Sequence, residues 1–521
     1  MTSNEPQTGG GSATGALVQA MRSWRTASVA LLSFSSGLPL GLVWIAIPDW
    51  MRSAGLDIRI VGLATLAHAP WTFKMLWSPL MDRYTPPWLG RRRGWIAATQ
   101  LALFALTLGL AGVGDHPDAP WVLLALALAI AFASASQDIV IDAYAVDVLR
   151  REEQGIAVGA RTALYRGAMY VAGALAITLA GRISWPAVNV CLAALYLPLL
   201  VVAWRAPEPE ATIPIPRTLG AAVWRPFVGL LGRHRAVEIL AFVLLYKLAD
   251  NLAQSLQRPF LVDAGYDATD RGVALGTVGL AGTVIGTLLG GALTTALGLG
   301  HSLWVFGFLQ IFSNLGFVLL SQSPVNRPLM YGAMSFETLT TGLGMGAFGV
   351  LLLRLTERRF SATQYALLSS IFALPRLVAG PVTGAIVHAA GWTWFFWFTM
   401  AAGVPGLVML ARFVPVGRRE PEFAVEPPRR EHAFSRGVLA RRAVAGGAIG
   451  FGFAVLSVAS LAALRGLRDG SGFALLPAWS AVAAPTDVAH ALQLFGCLVF
   501  GAVCALGTAA VFAARGGGGT E

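Results

Sequence analysis

Lysine is nearly missing from this chain. Of its 38 basic residues only Lys74 and Lys247 are lysine, and both interrupt apolar stretches. Charge of either sign is scarce, at 12% of residues, which excludes the solvated surface of a soluble multidomain protein of 521 residues. Cysteine is rare too. Cys191, Cys497 and Cys504 lie in apolar runs without metal-ligand spacing, so neither a disulfide framework nor a zinc site is expected. The seven histidines are scattered and no nucleophile motif occurs, which argues against a membrane enzyme. No bound cofactor or metal is expected.

What fills the chain is apolar: 56% hydrophobic residues, arranged in repeated windows of about 20. Continuous rather than alternating runs point to helices and not to a barrel, because in lipid each segment must satisfy its own backbone. The reading is an all-α polytopic membrane protein. Segments fall near 27–48, 60–81, 94–113, 119–146, 156–180 and 185–204, then near 237–261, 270–297, 301–320, 329–353, 362–389 and 392–413. Two more follow near 443–463 and 489–513. Six, six and two make fourteen.

The expected organisation is a polar, disordered cytoplasmic tail (1–24), a six-helix bundle (25–205), a cytoplasmic connector (206–236), a second six-helix bundle (237–413), a cytoplasmic linker (414–442) and two additional spans (443–515). Within the connector, Leu219, Val223, Phe227 and Leu231 recur every four residues among arginines. That suits an amphipathic helix on the membrane surface, a plain linker being the other reading. The net charge of +11 comes from arginines clustered in alternate connectors, such as Arg91 to Arg93. The positive-inside rule accounts for them and places both termini in the cytoplasm; nucleic-acid binding is not expected.

Two six-helix halves joined by a long connector is the plan of major facilitator transporters, with substrate near the midplane between halves that rock around it. Charges inside the spans are costly and so mark function. In "SQDIVIDAYAVDVL", Asp138 and Asp142 share one helical face with Gln137 beside them, and Asp147 lies on another face nearer the end. "YKLADNLAQSLQR" sets Lys247, Asp250 or Asn251, Gln254 and Arg258 along a stripe. Single charges occur at Arg161, Arg166, Glu337 and Arg376. Internal pairing is the alternative for each: Lys247 with Asp250, or a carboxylate of the fourth span with Arg166. A water-filled path explains the set together. Lys74 lies about 12 Å deeper than Asp82 and either snorkels or faces a cavity.

Several strings resemble one family. "SGLPLGL", "FKMLWSPLMDRYTPPWLGRRRGW", "ASQDIVIDAYAVDVL", "APEPEATIPIPRTL", "LYKLADNLAQSL" and "FSATQYALLSS" occur in family order over residues 36–372. They resemble the AmpG muropeptide permeases, in the peptide–acetyl-coenzyme A transporter group of the major facilitators. The two extra helices match that family's fourteen-helix plan.

The resemblance implies import of N-acetylglucosamine–anhydro-N-acetylmuramic acid, with or without stem peptide, across the bacterial inner membrane, driven by the proton motive force. It implies a role in peptidoglycan recycling and, where the circuit exists, β-lactamase induction. Protons, a small glycopeptide and lipid are then the partners, and a monomer is expected. By resemblance, Asp82, Arg83 and Arg91 to Arg93 would form the cytoplasmic gate.

The residues make chemical sense of such a substrate. Arg166, Lys247, Arg376 and Lys74 could pair carboxylates, and Gln137, Asn251, Gln254 and Tyr165 could bond hydroxyls and amides. Asp138, Asp142, Asp250 and Glu337 are the candidate proton carriers, the first two favoured. The family more often has Trp–Lys where this chain has Tyr144–Ala145, which removes a cation from the fourth span. Related branches of the superfamily carry siderophores or acyl-coenzyme A. A sensor or scaffold that has lost transport is the reading from another class.

Overall fold

The computed structural model describes residues 19, 21–57, 61, 64–114, 120–209, 216, 218–231, 235–421, 434–468, 475–484 and 488–516. Most of the expected 1–24 tail and the middle of the 414–442 linker lie outside them. Every regular element among the described residues is a helix.

The first half begins with α1 (Trp24–Ser53) and the segmented α2, built from Ala64–His68, Ala69–Phe73, Lys74–Leu76 and Ser78–Arg83. Then come α3 (Arg91–Ala111), α4 (Pro120–Val148), α5 (Gln154–Ala180) and α6 (Trp185–Arg205). The connector carries α7 (Leu219–Leu231). The second half opens with a broken α8, in the pieces Ala236–Tyr246, Leu248–Ser255 and Gln257–Asp263. It continues with α9 (Thr269–Leu297), α10 (Leu299–Gln322), α11 (Arg327–Leu355), α12 (361–389) and α13 (Ala390–Phe413). Last are α14 (Arg436–Arg468), α15 (Leu475–Ala483) and α16 (Val488–Gly516).

Eleven helices among the described residues are long and apolar enough to cross a membrane. The other three segments expected to span are α2, α8 and α12. The first two are interrupted, so no continuous helix of spanning length stands there.

The spans hard to divide by sequence separate at single residues. Gly298 (φ 87°) turns α9 into α10, and Gly391 (φ 80°) turns α12 into α13. Both adopt the left-handed backbone that only glycine enters without strain.

Two breaks matter for function. Phe73 (φ −100°, ψ 10°) and Trp77 (φ −110°, ψ −2°) loosen α2 on either side of Lys74. Lys247 (φ −107°, ψ 6°) itself interrupts α8, and Leu256 interrupts it again. Both lysines of the protein therefore sit at broken turns, where the backbone ladder is already open. The expected continuous stripe from Lys247 to Arg258 is correspondingly divided in two.

The chain forms two compact units, one of residues 1–219 and 240–422 and the other of 220–239 and 423–521. In the first, a core of Leu42, Trp50, Leu103, Ile130 and Trp185 holds α1, α3, α4 and α6 together. Phe260, Phe317, Phe395 and Phe396 form the aromatic core of α8, α10 and α13. The halves touch backbone to backbone where α5 meets α9. A Cβ added at Gly155 would lie 2.4 Å from the Gly291 carbonyl oxygen, and one at Gly291 2.2 Å from that of Gly155.

In the second unit, Trp224, Phe227, Val228 and Leu231 of α7 pack on Ala510 and Ala513 of α16 and Leu439 of α14. Protein takes up part of the apolar face that the sequence assigned to the membrane surface.

Candidate transport site and gate

Four elements meet at one end of the first unit. Asp82 closes α2 and is fully buried. Its Oδ1 accepts from Nη2 of Arg91 and of Arg92, both at 2.9 Å, and from the Ala362 amide at 3.3 Å. Its Oδ2 accepts from the Thr363 amide (2.9 Å) and hydroxyl (2.7 Å). A carboxylate from the first half thus caps the N-terminus of α12 in the second, filling orphan donors and opposing the helix dipole.

Arg92 reaches further. Its Nε donates to Asp147 Oδ2 at 2.8 Å and its Nη2 to Ser361 Oγ at 2.7 Å, while Ser361 Oγ donates to Asp147 Oδ1 at 2.7 Å. Arg91 also donates to the Arg359 carbonyl. The other two arginines expected here act elsewhere. Arg93 pairs with Glu208 and donates to the Trp204 and Ala206 carbonyls at 3.1 Å. Arg83 stacks over the Tyr84 ring at 5.4 Å.

Deeper in the first half, Lys74 Nζ stands 3.3 Å from Asp142 Oδ2. Arg161 of α5 pairs with Oδ1 of the same carboxylate. Asp142 is therefore held between two cations, and its partner is Arg161 and not Arg166. Asp138, one turn earlier, lies in the same electrostatic neighbourhood as Lys74, Asp142 and Arg161 but forms no ion pair among the described residues. Tyr165 and Arg166 border the group, and Nη1 of Arg166 donates to the Met169 sulfur at 3.9 Å. Gln137 stands apart. It is wholly buried, and its Nε2 donates to Ser35 Oγ at 2.7 Å, tying α4 to α1.

In the second half, Lys247 Nζ donates to Asp250 Oδ2 at 2.8 Å and to Gln310 Oε1 at 2.9 Å. Asn251 is buried beside them. Glu337 of α11 is buried and accepts from Gln257 (3.2 Å), Thr341 (3.2 Å) and the exposed Gln254 (3.4 Å). Arg258 lies exposed beyond the second break of α8. The Arg376 side chain lies outside the described residues.

Sequence reasoning did not assign Asp147, Ser361 and Thr363 to the gate, or name Gln310 as the partner of Lys247. A signal existed for two of them: "FSATQ" reads as Ser and Thr at the start of a helix, where free amides need partners. Nothing along the chain points to Gln310, which meets Lys247 only through folding.

A family model described as Major Facilitator Superfamily matches residues 29–380. A relative named anhydromuropeptide permease, from Escherichia coli (strain K12), is 44% identical over 388 residues, covering 74% of this chain and 79% of its own. An uncharacterised protein of Haemophilus influenzae is 32% identical, with 74% and 94% covered. Among solved structures, the proton:xylose symporter XylE superposes with a TM-score of 0.59 at 10% identity, over 77% of this chain and 98% of its own. A human organic anion transporter gives 0.58 at 12% identity, over 74% and 99%. These two carry the fold alone. The segmented helices, the charged residues within them and the buried ion-pair cluster joining two halves thus belong to a chain of the major facilitator superfamily, in the family of the anhydromuropeptide permeases.

Proposed function

We propose that the protein is an importer of anhydromuropeptides, moving N-acetylglucosamine–anhydro-N-acetylmuramic acid, with or without stem peptide, from periplasm to cytoplasm. It acts as a monomer in the bacterial inner membrane, spans it fourteen times and keeps both termini in the cytoplasm. The observation that carries this reading is the 44% identity to the anhydromuropeptide permease over three quarters of the chain.

With the termini inside, the Asp82–Arg92–Asp147 cluster is the cytoplasmic gate, and the state described is closed on that side. Substrate enters from the periplasm. Arg166, which has no carboxylate partner among the described residues, is free to take a peptide carboxylate, with Tyr165 beside it. Gln254 and Thr341 of the second half offer amide and hydroxyl groups to the sugars, next to Glu337.

A proton symported with a neutral sugar contributes about 2.3 kcal/mol per 100 mV, an accumulation of roughly fiftyfold. Asp138 is the preferred carrier. Asp142 is committed to two cations, whereas Asp138 forms no ion pair among the described residues and is available to act as carrier.

Uptake of labelled N-acetylglucosamine–anhydro-N-acetylmuramic acid into right-side-out vesicles tests the reading. Accumulation that collapses on adding a protonophore is the expected result. No uptake of this glycan, together with robust uptake of a ferric siderophore, would assign the protein to another branch of the superfamily.

A further inference from the structure

The gate and the central ion group share two helices. Asp142 and Asp147 lie five residues apart on α4; Ser361 and Tyr365 lie four apart on α12, one above the other along the helix. Asp147 and Ser361 bond each other in the gate at 2.7 Å. One turn deeper, Tyr365 is 7% exposed and stands beside the Arg161 guanidinium and the carboxylates of Asp142 and Asp138. Nη2 of Arg161 holds Asp142 and the guanidinium lies within hydrogen-bonding reach of the Tyr365 hydroxyl, while Nη1 has no well-aligned partner among the described residues. Among the described residues, the charged and titratable groups of this centre are Lys74 from α2, Asp138 and Asp142 from α4, and Arg161, Tyr165 and Arg166 from α5. Tyr365 is the group that the second half contributes to it.

We propose that Tyr365 is the positioning residue through which the charge of the α4 carboxylates is passed to α12, and so to the gate. The proposal rests on the proton-coupled import described above. When a proton binds at Asp138 or Asp142, the negative charge facing Arg161 falls. The guanidinium keeps its own protons and shifts one N–H from the carboxylate towards the phenol oxygen of Tyr365. The phenol keeps its proton and serves as acceptor. Because Ser361 and Thr363 occupy the turn before Tyr365, a pull on the phenol bears directly on their bonds to Arg92, Asp147 and Asp82. One helical turn then joins protonation to opening.

The Tyr365→Phe variant removes a single oxygen and keeps the ring. Hydrogen exchange of the 361–368 amides in the purified protein is followed from pH 5 to pH 8, without substrate. In the wild type, exchange there is expected to rise severalfold beyond the intrinsic chemical rate as pH falls; in Tyr365→Phe that excess is expected to vanish. In vesicles, the variant's ratio of gradient-driven uptake to counterflow of the labelled disaccharide should drop at least tenfold.

An unchanged pH response in Tyr365→Phe overturns the proposal, as does a wild type with no excess response. A parallel loss of uptake and counterflow would make the residue a structural one and overturn it as well. Failure of the wild type to carry the disaccharide counts against the import reading alone, because the exchange measurement contains no substrate.

Discussion

Asp142 binds Lys74 and Arg161 at once, and that double pairing sets what each neighbouring carboxylate can be replaced by. In Asp142→Asn the buried Lys74 and the half-buried Arg161 lose their counter-charge, at a cost of about 3 kcal/mol. A clear fall in the melting temperature of the detergent-solubilised protein is expected, alongside lost uptake. Asp138→Asn breaks no ion pair among the described residues, so its melting temperature should stay near wild type while protonophore-sensitive uptake disappears. Equal stability of the two variants would show that the Asp142 pairs contribute little.

Gly344 is a second residue on which the interior depends. A Cβ placed there would lie 1.2 Å from Gln310 Nε2 and 2.9 Å from Lys247 Nζ. Gly344→Ala must displace Gln310 and weaken its bond to Lys247, with a loss of about 1–3 kcal/mol expected in thermal unfolding. Wild-type stability in that variant would mean that Gln310 moves aside freely.

Elements were legible where one physical rule governed them. Eleven of the fourteen apolar runs became helices long enough to cross a membrane, and the arginine-flanked Leu219 to Leu231 repeat became α7. The breaks at Trp77 and Leu256 stand just before Pro79 and Pro259, whose rings and missing N–H groups end a turn, so the sequence signalled them; the break at Phe73 carried no such signal. Partners were hidden, because local propensity does not record which residues packing brings together. Arg161 and Arg166 look alike along the chain, and only the packing of α4 on α5 selects Arg161 for Asp142. Tyr144, the departure from the family's Trp, proves to be wholly buried, with its hydroxyl donating to the Pro207 carbonyl at 2.9 Å.

The docking of α7 on α16 gives a prediction of its own. Val228→Glu would set an unpaired charge among Ala510, Ala513 and Leu439. The helix should loosen, and chymotryptic cleavage within 224–231 should accelerate on the order of tenfold. Unchanged cleavage would mean that α7 is held by something other than this apolar contact.

At the scale of the whole molecule, the proposed import requires two arrangements of the halves, so the bonds of the proposed gate would set populations and not only strength. Arg92 is 3% exposed and bonds Asp82, Asp147 and Ser361 at once, joining α2, α3 and α4 of one half to α12 of the other. Asp82 would still cap α12 in Arg92→Gln, through Thr363, so the fold keeps its joint while losing a charged clamp. Buried charge-assisted bonds contribute about 1.5–3 kcal/mol each. The loss of one would cut the preference for that state by about ten- to a hundredfold, since 1.4 kcal/mol is a factor of ten. The gated end should then become accessible. A cysteine introduced at Thr356, buried in the wild type next to this end of α11, should react with a membrane-impermeant maleimide in inside-out vesicles at least tenfold faster in the Arg92→Gln background. Disaccharide affinity should change by less than threefold, because Arg92 touches the gate and not the central group. A large affinity loss with unchanged labelling would reverse the assignment, making Arg92 part of the binding site and leaving the closed state to the backbone contact of Gly155 with Gly291.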